Sequence, residues 1–161
     1  NTVTSVAVDN NGNVYSGSSD ETVKKISPSG SQIWTFSGHS NTVTSVAVDN
    51  NGNVYSGSND NKAKKISSSG SQIWTFSGHI SSVNSVAVDN NGNVYSGSHD
   101  KTVKKISSSG EEIWTFNGHS DVVNSVAVDN NGNVYSGSRD KTVKKLFAGI
   151  PPKFLGYKIL E

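Results

Sequence analysis

The chain has 161 residues, a formal net charge of +1, 32% hydrophobic residues and no cysteine. That length is enough for one domain with its own core. The balanced charge gives no electrostatic support for a nucleic-acid partner. The absence of cysteine excludes disulfides and thiolate metal sites. No apolar run approaches the roughly 20 residues of a membrane span. We therefore expect no nucleic-acid and no membrane partner, and the compartment stays open, with the cytoplasm slightly favoured.

A repeat of forty residues organises almost the whole sequence. The segment SVAVDNNGNVYSGS occurs unchanged at 5–18, 45–58, 85–98 and 125–138, and the units 1–40 and 41–80 differ at six positions. A constant period of this length indicates one supersecondary unit stacked on copies of itself.

Each repeat predicts four short strands separated by turns. The first strand is rich in β-branched residues, the turn after it contains an Asn-Gly pair that readily takes positive φ angles, and the later turns are rich in Ser, Asn, Asp and Gly. In the second unit the predicted strands are 42–48, 54–58, 62–66 and 72–76.

Four antiparallel strands per repeat, with no helical period, predict an all-β fold, a β-propeller made of four-stranded blades. We predict a single domain over 1–161, with four blades at about 1–38, 39–78, 79–118 and 119–161. The last unit abandons the repeat after Leu146, and its divergent fourth strand is expected at 153–160. Because the chain has no methionine, we expect it to be a processed product or an excised piece.

The Gly-His pairs that precede three of the repeats, each followed by SVAVD and then SGSxD, carry a family resemblance. The chain resembles the WD-repeat β-propellers up to about Leu146. In that family the histidine hydrogen-bonds the aspartate of the turn between the second and third strands. The resemblance implies structural clamps at His39–Asp60, His79–Asp100 and His119–Asp140, with Ser56, Ser96 and Ser136 beside them.

The chain departs from the family pattern at two places. The tryptophan expected at the end of the third strand is replaced by Ile26, Ile66, Ile106 and Leu146, and tryptophans stand on the fourth strand instead, at Trp34, Trp74 and Trp114. This variant resembles prokaryotic propellers, and we interpret the tryptophans as packing between blades, with a stacking platform for a sugar as the alternative. In addition, Asp20 has no Gly-His pair before it.

The repeats differ from one another mainly in two loops. The residues flanking the turn aspartate are Ser19, Asn59, His99 and Arg139 before it and Glu21, Asn61, Lys101 and Lys141 after it; the start of the first strand varies as well, notably at Ile80 and Asp121. In the family both loops lie on one rim that commonly holds partners. A rigid scaffold with varied loops predicts a binding rim, and neutral drift in exposed turns is the alternative.

Relatives of this sequence usually have seven or eight blades, so four blades would span half a circle and expose two apolar flanks. We predict a homodimer, in which two chains join head to tail as one eight-bladed ring. The alternatives are a closed four-bladed monomer and a fragment of a longer propeller.

No catalytic motif breaks the symmetry of the repeats, so we expect no enzyme activity, no cofactor and no metal site. The DNNGN segment lacks the glycine position and the glutamate of a calcium loop. One lysine of each Lys-Lys pair on the third strand is expected to face solvent. The favoured function is a scaffold that binds a protein or peptide on its loop-rich rim. The alternatives are a carbohydrate-binding propeller with one weak site per blade and a fragment with no ligand of its own.

Overall fold

A computed structural model describes residues 1–148 and 157–160. It contains sixteen strands in four antiparallel four-stranded sheets, each built from four strands consecutive in the chain. The described residues include no helix, and therefore none long and apolar enough to cross a membrane. The prediction of an all-β chain of antiparallel four-stranded units is confirmed, and the arrangement is consistent with a propeller.

The four sheets have closely matching strand bounds because their sequences repeat. The first contains β1 (Val3–Val8), β2 (Val14–Ser18), β3 (Val23–Ile26) and β4 (Gln32–Phe36). The second contains β5 (Val43–Val48), β6 (Val54–Ser58), β7 (Ala63–Ile66) and β8 (Gln72–Phe76). The third contains β9 (Val83–Val88), β10 (Val94–Ser98), β11 (Val103–Ile106) and β12 (Glu112–Phe116). The fourth contains β13 (Val123–Val128), β14 (Val134–Ser138), β15 (Val143–Leu146) and β16 (Tyr157–Leu160).

The divergent tail supplies the fourth strand of the last sheet. β16 pairs antiparallel with β15, in a register that places Leu146 opposite Tyr157 and Val143 opposite Leu160. The strand was predicted at 153–160, of which residues 153–156 lie outside the described part of the chain.

The hairpin between the first two strands of each sheet is organised by its aspartate. In the second sheet Asp49 Oδ1 accepts hydrogen bonds from the backbone N–H groups of Asn51 and Asn53, both at 2.9 Å, and Oδ2 accepts one from the Tyr55 hydroxyl at 3.0 Å. Gly52 has a φ of 77°, whereas Asn51 is not among the residues with positive φ. The expectation that both residues of the Asn-Gly pair contribute positive φ angles is therefore wrong: the carboxylate holds the turn, and only glycine adopts the left-handed conformation.

The core lies between neighbouring sheets. Tyr55, Ala63 and Phe76 of the second sheet form one buried cluster with Val83 and Val86 of the third. The same set of positions packs between the first and second sheets and between the third and fourth. Each sheet thus buries its apolar side chains against the next copy, and burial of each large side chain contributes about 1.5–3 kcal/mol.

The two outer flanks of the array lack such a neighbour. On the first sheet Val3 is 59% and Val6 is 64% exposed, whereas their equivalents Val43 and Val46 are 0% and 6% exposed. On the fourth sheet Val143 is 43% exposed, whereas the equivalent Val103 is 0% exposed. The described sheets therefore expose apolar side chains at both ends of the array.

Candidate functional site

The loop between the first and second sheets is fixed to the second sheet by the side chain of His39. Its Nδ1 lies 2.8 Å from Asp60 Oδ2, and its Nε2 lies 2.8 Å from Ser56 Oγ. His39 is only 5% exposed and Ser56 is fully buried. This geometry fits a neutral imidazole that donates a hydrogen bond from Nδ1 to the carboxylate and accepts one at Nε2 from the serine hydroxyl.

The charges of this group follow from burial and from the hydrogen bonds. Desolvation lowers the pKa of His39 below its ordinary value, and the Asp60 hydrogen bond only partly opposes that effect. Burial alone would raise the pKa of Asp60, but the His39 hydrogen bond and charge, together with backbone donors, lower it. At neutral pH the group therefore contains an ionised carboxylate and an uncharged ring.

The same arrangement occurs at the next two sheet junctions. His79 Nδ1 and His119 Nδ1 lie 2.7 Å from the carboxylates of Asp100 and Asp140, and the Nε2 atoms lie 2.8 Å from Ser96 and Ser136. The preceding glycine is required by packing. A Cβ at Gly78 would lie 2.3 Å from Phe76 Cζ, because the phenyl ring folds over this position and meets His79 edge-on.

These clamps hold the two variable loops side by side. Asp60 Oδ2 also accepts the backbone N–H of Ser40 at 3.2 Å, and the backbone N–H of Asn59 donates to Thr42 O at 2.9 Å. The turn after β6 and the segment that leads into β5 are thus tied at the same end of the sheet. A rigid frame at this rim carries the residues that vary between repeats.

The first sheet contains the serine and the aspartate of the clamp but no histidine. Asp20 Oδ1 accepts the Thr22 backbone N–H at 3.1 Å and the Thr22 hydroxyl at 2.6 Å. The pKa of Asp20 is lowered first by the hydrogen bond from the Thr22 side chain, and also by the Ser18 side chain, the Thr22 backbone N–H and the charge of Lys24, although burial opposes this shift.

The predicted rim residues lie in exposed or half-buried turns. Among the residues that directly precede the turn aspartates, Asn59, His99 and Arg139 are exposed and Ser19 is half-buried. The positions after it all adopt a left-handed backbone, with φ values between 68° and 71°, at Glu21, Asn61, Lys101 and Lys141. Ile80 is 88% exposed, and half-buried Asp121 accepts the backbone N–H of Val122 at 2.7 Å.

Charge is distributed unevenly along this rim. The third and fourth sheets present His99, Lys101, Arg139 and Lys141, whereas the corresponding residues of the first two sheets are Ser19, Glu21, Asn59 and Asn61. Within the described residues no carboxylate forms an ion pair with Lys101, Arg139 or Lys141. Apart from half-buried Asp121, the variable charged side chains on this half of the rim are therefore basic.

The tryptophans contact the following sheet rather than standing free. Trp34 Nε1 donates to Ser68 O at 3.1 Å, and the indole lies against Gly70, where a Cβ would be 2.9 Å from Trp34 Cγ. Trp74 repeats this contact with Ser108 O at 3.1 Å. The Trp114 ring lies 6.1 Å from Tyr95 of its own sheet and packs against the buried cluster between the third and fourth sheets. Their positions fit packing between sheets.

At the opposite end of the sheets, a groove of about 250 Å³ lies between the hairpins of the second and third sheets. Asn50, Asn90 and Lys65 line it together with the turn aspartates Asp49 and Asp89, whose carboxylates already bind their own hairpins. Across residues 1–148 and 157–160 there is no group of three or more His, Asp or Glu side chains placed to hold a metal ion.

Sequence reasoning missed a row of buried lysines. Lys64, Lys104 and Lys144 are 6%, 9% and 6% exposed, whereas the second lysine of each pair is half-buried with its ammonium 5.4 Å from a tyrosine ring centre. Lys104 Nζ donates to Glu112 at 2.9 Å and to Thr115 at 2.7 Å. On the fourth strand, Thr115 lies directly opposite Lys104, and a threonine at this position is the sequence signal that could have indicated the buried lysines.

Comparisons with known proteins agree with these features. The family model described as "WD domain, G-beta repeat" matches residues 30–65, 70–106 and 110–145. Among solved structures, one described as "Structure of U3-55K" is similar in fold, with a TM-score of 0.91 and 23% identity over 99% of this chain and 51% of that chain. The chain thus spans about half the length of that protein, and no curated protein matches it in sequence. Because the matched repeats cover more than half of its residues, the chain belongs to the WD-repeat family of β-propellers.

Proposed function

We propose that this chain is a non-catalytic scaffold that binds a protein or peptide segment on the rim formed by its turn residues. The observation that carries this proposal is the combination of rigid clamps with exposed residues that differ from repeat to repeat. The clamp at Asp60 and the bond from Asn59 to Thr42 fix the rim backbone, so a partner would bind it with little loss of conformational freedom.

The basic half of the rim indicates the chemistry of the partner. Lys101, Arg139 and Lys141 are exposed and have no carboxylate partner among the described residues. A segment with acidic side chains over the third and fourth sheets would supply the missing charges, and the exposed Ile80 would provide an apolar contact beside them.

Selection of peptides from a displayed random library against the whole chain tests this function. We expect selected peptides to be enriched in Asp and Glu and to bind about tenfold more weakly to the double variant His99→Ser, Arg139→Ser. The matched control is Asn90→Ser, Asn130→Ser, which changes exposed hairpin residues at the opposite end of the sheets. Equal binding by the rim variant, or weakening by the control alone, would contradict the proposal.

We further propose that two chains assemble head to tail to complete one eight-bladed ring. Val3 and Val6 on the exposed flank of the first sheet would pack on Gly137 and Val143 as Val43 and Val46 pack against the first sheet.

Polar groups at the two flanks also match. At internal junctions Asn84 Nδ2 donates to Val123 O at 2.8 Å, and Ser85 Oγ accepts the Val126 N–H at 3.1 Å. Their equivalents on the fourth sheet, Asn124 and Ser125, are exposed and would bond Val3 O and Val6 N–H of a second copy. This complementarity favours ring closure by two identical chains. If the chain is instead a fragment of a longer propeller, further repeats of the same protein would pack on these flanks.

A further inference from the structure

We infer that the groove between the hairpins of the second and third sheets is a binding site for a neutral hexose unit, held by the side chains of Asn50, Asn90 and Lys65. The groove lies at the end of the sheets opposite the variable rim. The inference therefore adds a second site to the proposed scaffold function and does not rest on it. It does not depend on ring closure either, because the second and third sheets are both internal to the array.

The turn carboxylates that line the groove are already saturated with hydrogen bonds. Asp89 Oδ1 accepts the backbone N–H groups of Asn91 and Asn93, and its Oδ2 accepts the Asn93 amide and the Tyr95 hydroxyl, at 2.9–3.0 Å. Asp49 accepts the same four bonds in its own hairpin. An ionised carboxylate offers about four lone-pair sites, so neither aspartate has one left for a cationic ligand.

The charges of the lining also disfavour an anionic ligand. Two carboxylates, Asp49 and Asp89, stand against the single ammonium of Lys65, so the lining is slightly negative. An anion would be repelled by groups that it cannot neutralise. The groove therefore favours an uncharged ligand.

The remaining polar groups of the lining have unused hydrogen-bonding capacity. Asn90 is exposed, and its carboxamide bonds no other residue in the described part of the chain. The Asn50 carboxamide contacts only that of Asn10, at 3.5 Å, and Lys65 Nζ donates only to Ser108 O, at 3.4 Å. A carboxamide both donates and accepts, and an ammonium carries three donors. Vicinal hydroxyl groups, which also donate and accept, match this set.

The size and the apolar part of the groove fit one sugar ring. Its volume is about 250 Å³, below the roughly 300 Å³ at which pockets for drug-sized ligands begin. Val48 and Val88 are half-buried and contribute apolar surface for the C–H groups of a ring. None of the described lining residues is aromatic, so we expect a dissociation constant on the order of millimolar.

The repeats provide an independent indication. Asn50 is exposed, and the turn that contains it is held by Asp49 rather than by the Asn50 side chain. Asparagine nevertheless occupies this position in all four repeats, at Asn10, Asn50, Asn90 and Asn130. In the turn at the opposite end, the residue before the aspartate differs in every repeat: Ser19, Asn59, His99 and Arg139. The copies have thus diverged at turns, and the bonds of the hairpin do not account for the unchanged asparagine.

The second junction is where the amides remain available. At the first junction Asn10 Nδ2 lies 3.5 Å from Asn50 Oδ1, so the two hairpins contact each other through their amides. Within the described residues no such bond joins Asn50 to Asn90. A hexose would bridge these two amides.

The direct test is a titration of the isotope-labelled whole chain with glucose, galactose and mannose, followed by amide NMR. Each hexose is added up to about 100 mM, well above a millimolar dissociation constant. We expect at least one of them to shift the side-chain amide signals of Asn50 and Asn90 in a saturable way, together with the backbone amides of residues 88–92. Ethanediol at the same hydroxyl concentration is the control for non-specific effects and should give only small, linear shifts.

Variants and a charged analogue connect the shifts to the groove. Asn50→Ala with Asn90→Ala should weaken binding at least about tenfold and leave the melting temperature unchanged, because neither side chain holds its hairpin. His99→Ser, an exposed change at the opposite rim, is the matched control and should bind as the wild type does. The uronic acid that corresponds to the bound hexose should bind more weakly, because its carboxylate faces Asp49 and Asp89.

Three results would overturn the inference. The first is the absence of a saturable shift with any of the three hexoses. The second is unchanged binding by the double variant, or shifts centred on the indole N–H signals of Trp34, Trp74 and Trp114, which would place a sugar at the tryptophans instead. The third is tighter binding of the uronic acid than of the hexose.

Discussion

Gly57 and Val83 meet so closely at the junction of the second and third sheets that a Cβ at Gly57 would lie 2.8 Å from Val83 Cγ1. The contact joins the second strand of one sheet to the first strand of the next, and Gly17 and Gly97 repeat it with Val43 and Val123. Glycine is thus required here by the approach of the neighbouring sheet, at an ordinary backbone conformation. The stacking of copies depends on this contact.

Gly57→Ala should therefore destabilise the chain. Overpacking of this kind typically costs about 1–3 kcal/mol, because Val83 and Val86 must both move. The free energy of unfolding in urea measures it. Gly137→Ala is the matched control. Among residues 1–148 and 157–160 nothing lies within 4 Å of a Cβ at that position, so the change should leave unfolding of the dissociated chain unchanged and weaken association instead. Equal destabilisation by the two variants would contradict this account.

Loss of one clamp should destabilise the chain by more than a surface substitution. Asp100→Asn removes the charged acceptor of the buried His79 ring, and hydrogen bonds to charged groups contribute about 1.5–3 kcal/mol. Asp20→Asn should cost less, because no imidazole is bound there in the described structure. Chemical denaturation of the two variants compares them. A larger loss for Asp20→Asn would show that the clamps contribute little.

Stability should fall as the pH is lowered below about 6.5, and more steeply below about 4, the ordinary values for His and Asp. The pKa of His39 is lowered by burial, and that of Asp60 is lowered by its hydrogen bonds despite burial. Burial opposes ionisation of Asp9 as well, yet hydrogen bonds from Asn13, Tyr15 and Asn11 lower its pKa to about 2. Because each folded-state pKa is depressed, the unfolded chain binds more protons on acidification.

The measurement is the free energy of unfolding between about pH 3 and pH 8, compared with His39→Gln. In this variant, the free energy of unfolding should lack the decrease that His39 causes just below the ordinary histidine pKa. A pH-independent wild-type profile would contradict the assignment of a neutral, buried His39 ring.

Relief of backbone strain at the rim should stabilise the chain without altering its core. Lys101 has a φ of 71°, in the left-handed region that costs most residues roughly 1 kcal/mol. Asn61 occupies the equivalent position with a φ of 68°, and Asn tolerates this conformation better. Lys101→Asn should therefore raise the free energy of unfolding by several tenths of a kcal/mol. Lys101→Ala, which keeps the strain, is the control and should give no gain.

The strands could be predicted because the forty-residue period, the turn residues and the β-branched positions indicate the same strand boundaries in every unit. The predicted start at Thr42 differs by one residue from the observed Val43, and the predicted 54–58 matches β6. The DNNGN turn was located correctly, but its conformation was not predicted, because the Asp49 side chain, rather than the Asn-Gly pair alone, determines it. A side-chain cap of this kind is a three-dimensional contact that local propensity does not contain.

The buried lysines show where sequence reasoning fails. The sequence predicts that one lysine of each pair faces solvent, but it does not reveal the environment of the other. Lys64 is 6% exposed, and its ammonium lies 2.8 Å from Thr75 Oγ1. The register of β7 and β8 places Thr75 opposite Lys64, so that the threonine hydroxyl is a hydrogen-bond partner for the buried ammonium. A buried charge without such a partner would be costly. The pairing of the two residues becomes known only when the strands are aligned in the sheet. The flank exposures at Val6 and Val143 likewise depend on which copies lie at the ends of the array.

The mass of the chain in dilute solution, measured by sedimentation equilibrium, tests the central proposal most directly. Two copies joined at their exposed flanks should give twice 17.0 kDa, and Val6→Glu should convert this species to a single chain. Ile33→Glu, at a position 52% exposed on β4 away from the flank, should leave the mass unchanged. A wild-type mass of one chain, or a dimer that survives Val6→Glu, would contradict head-to-tail closure.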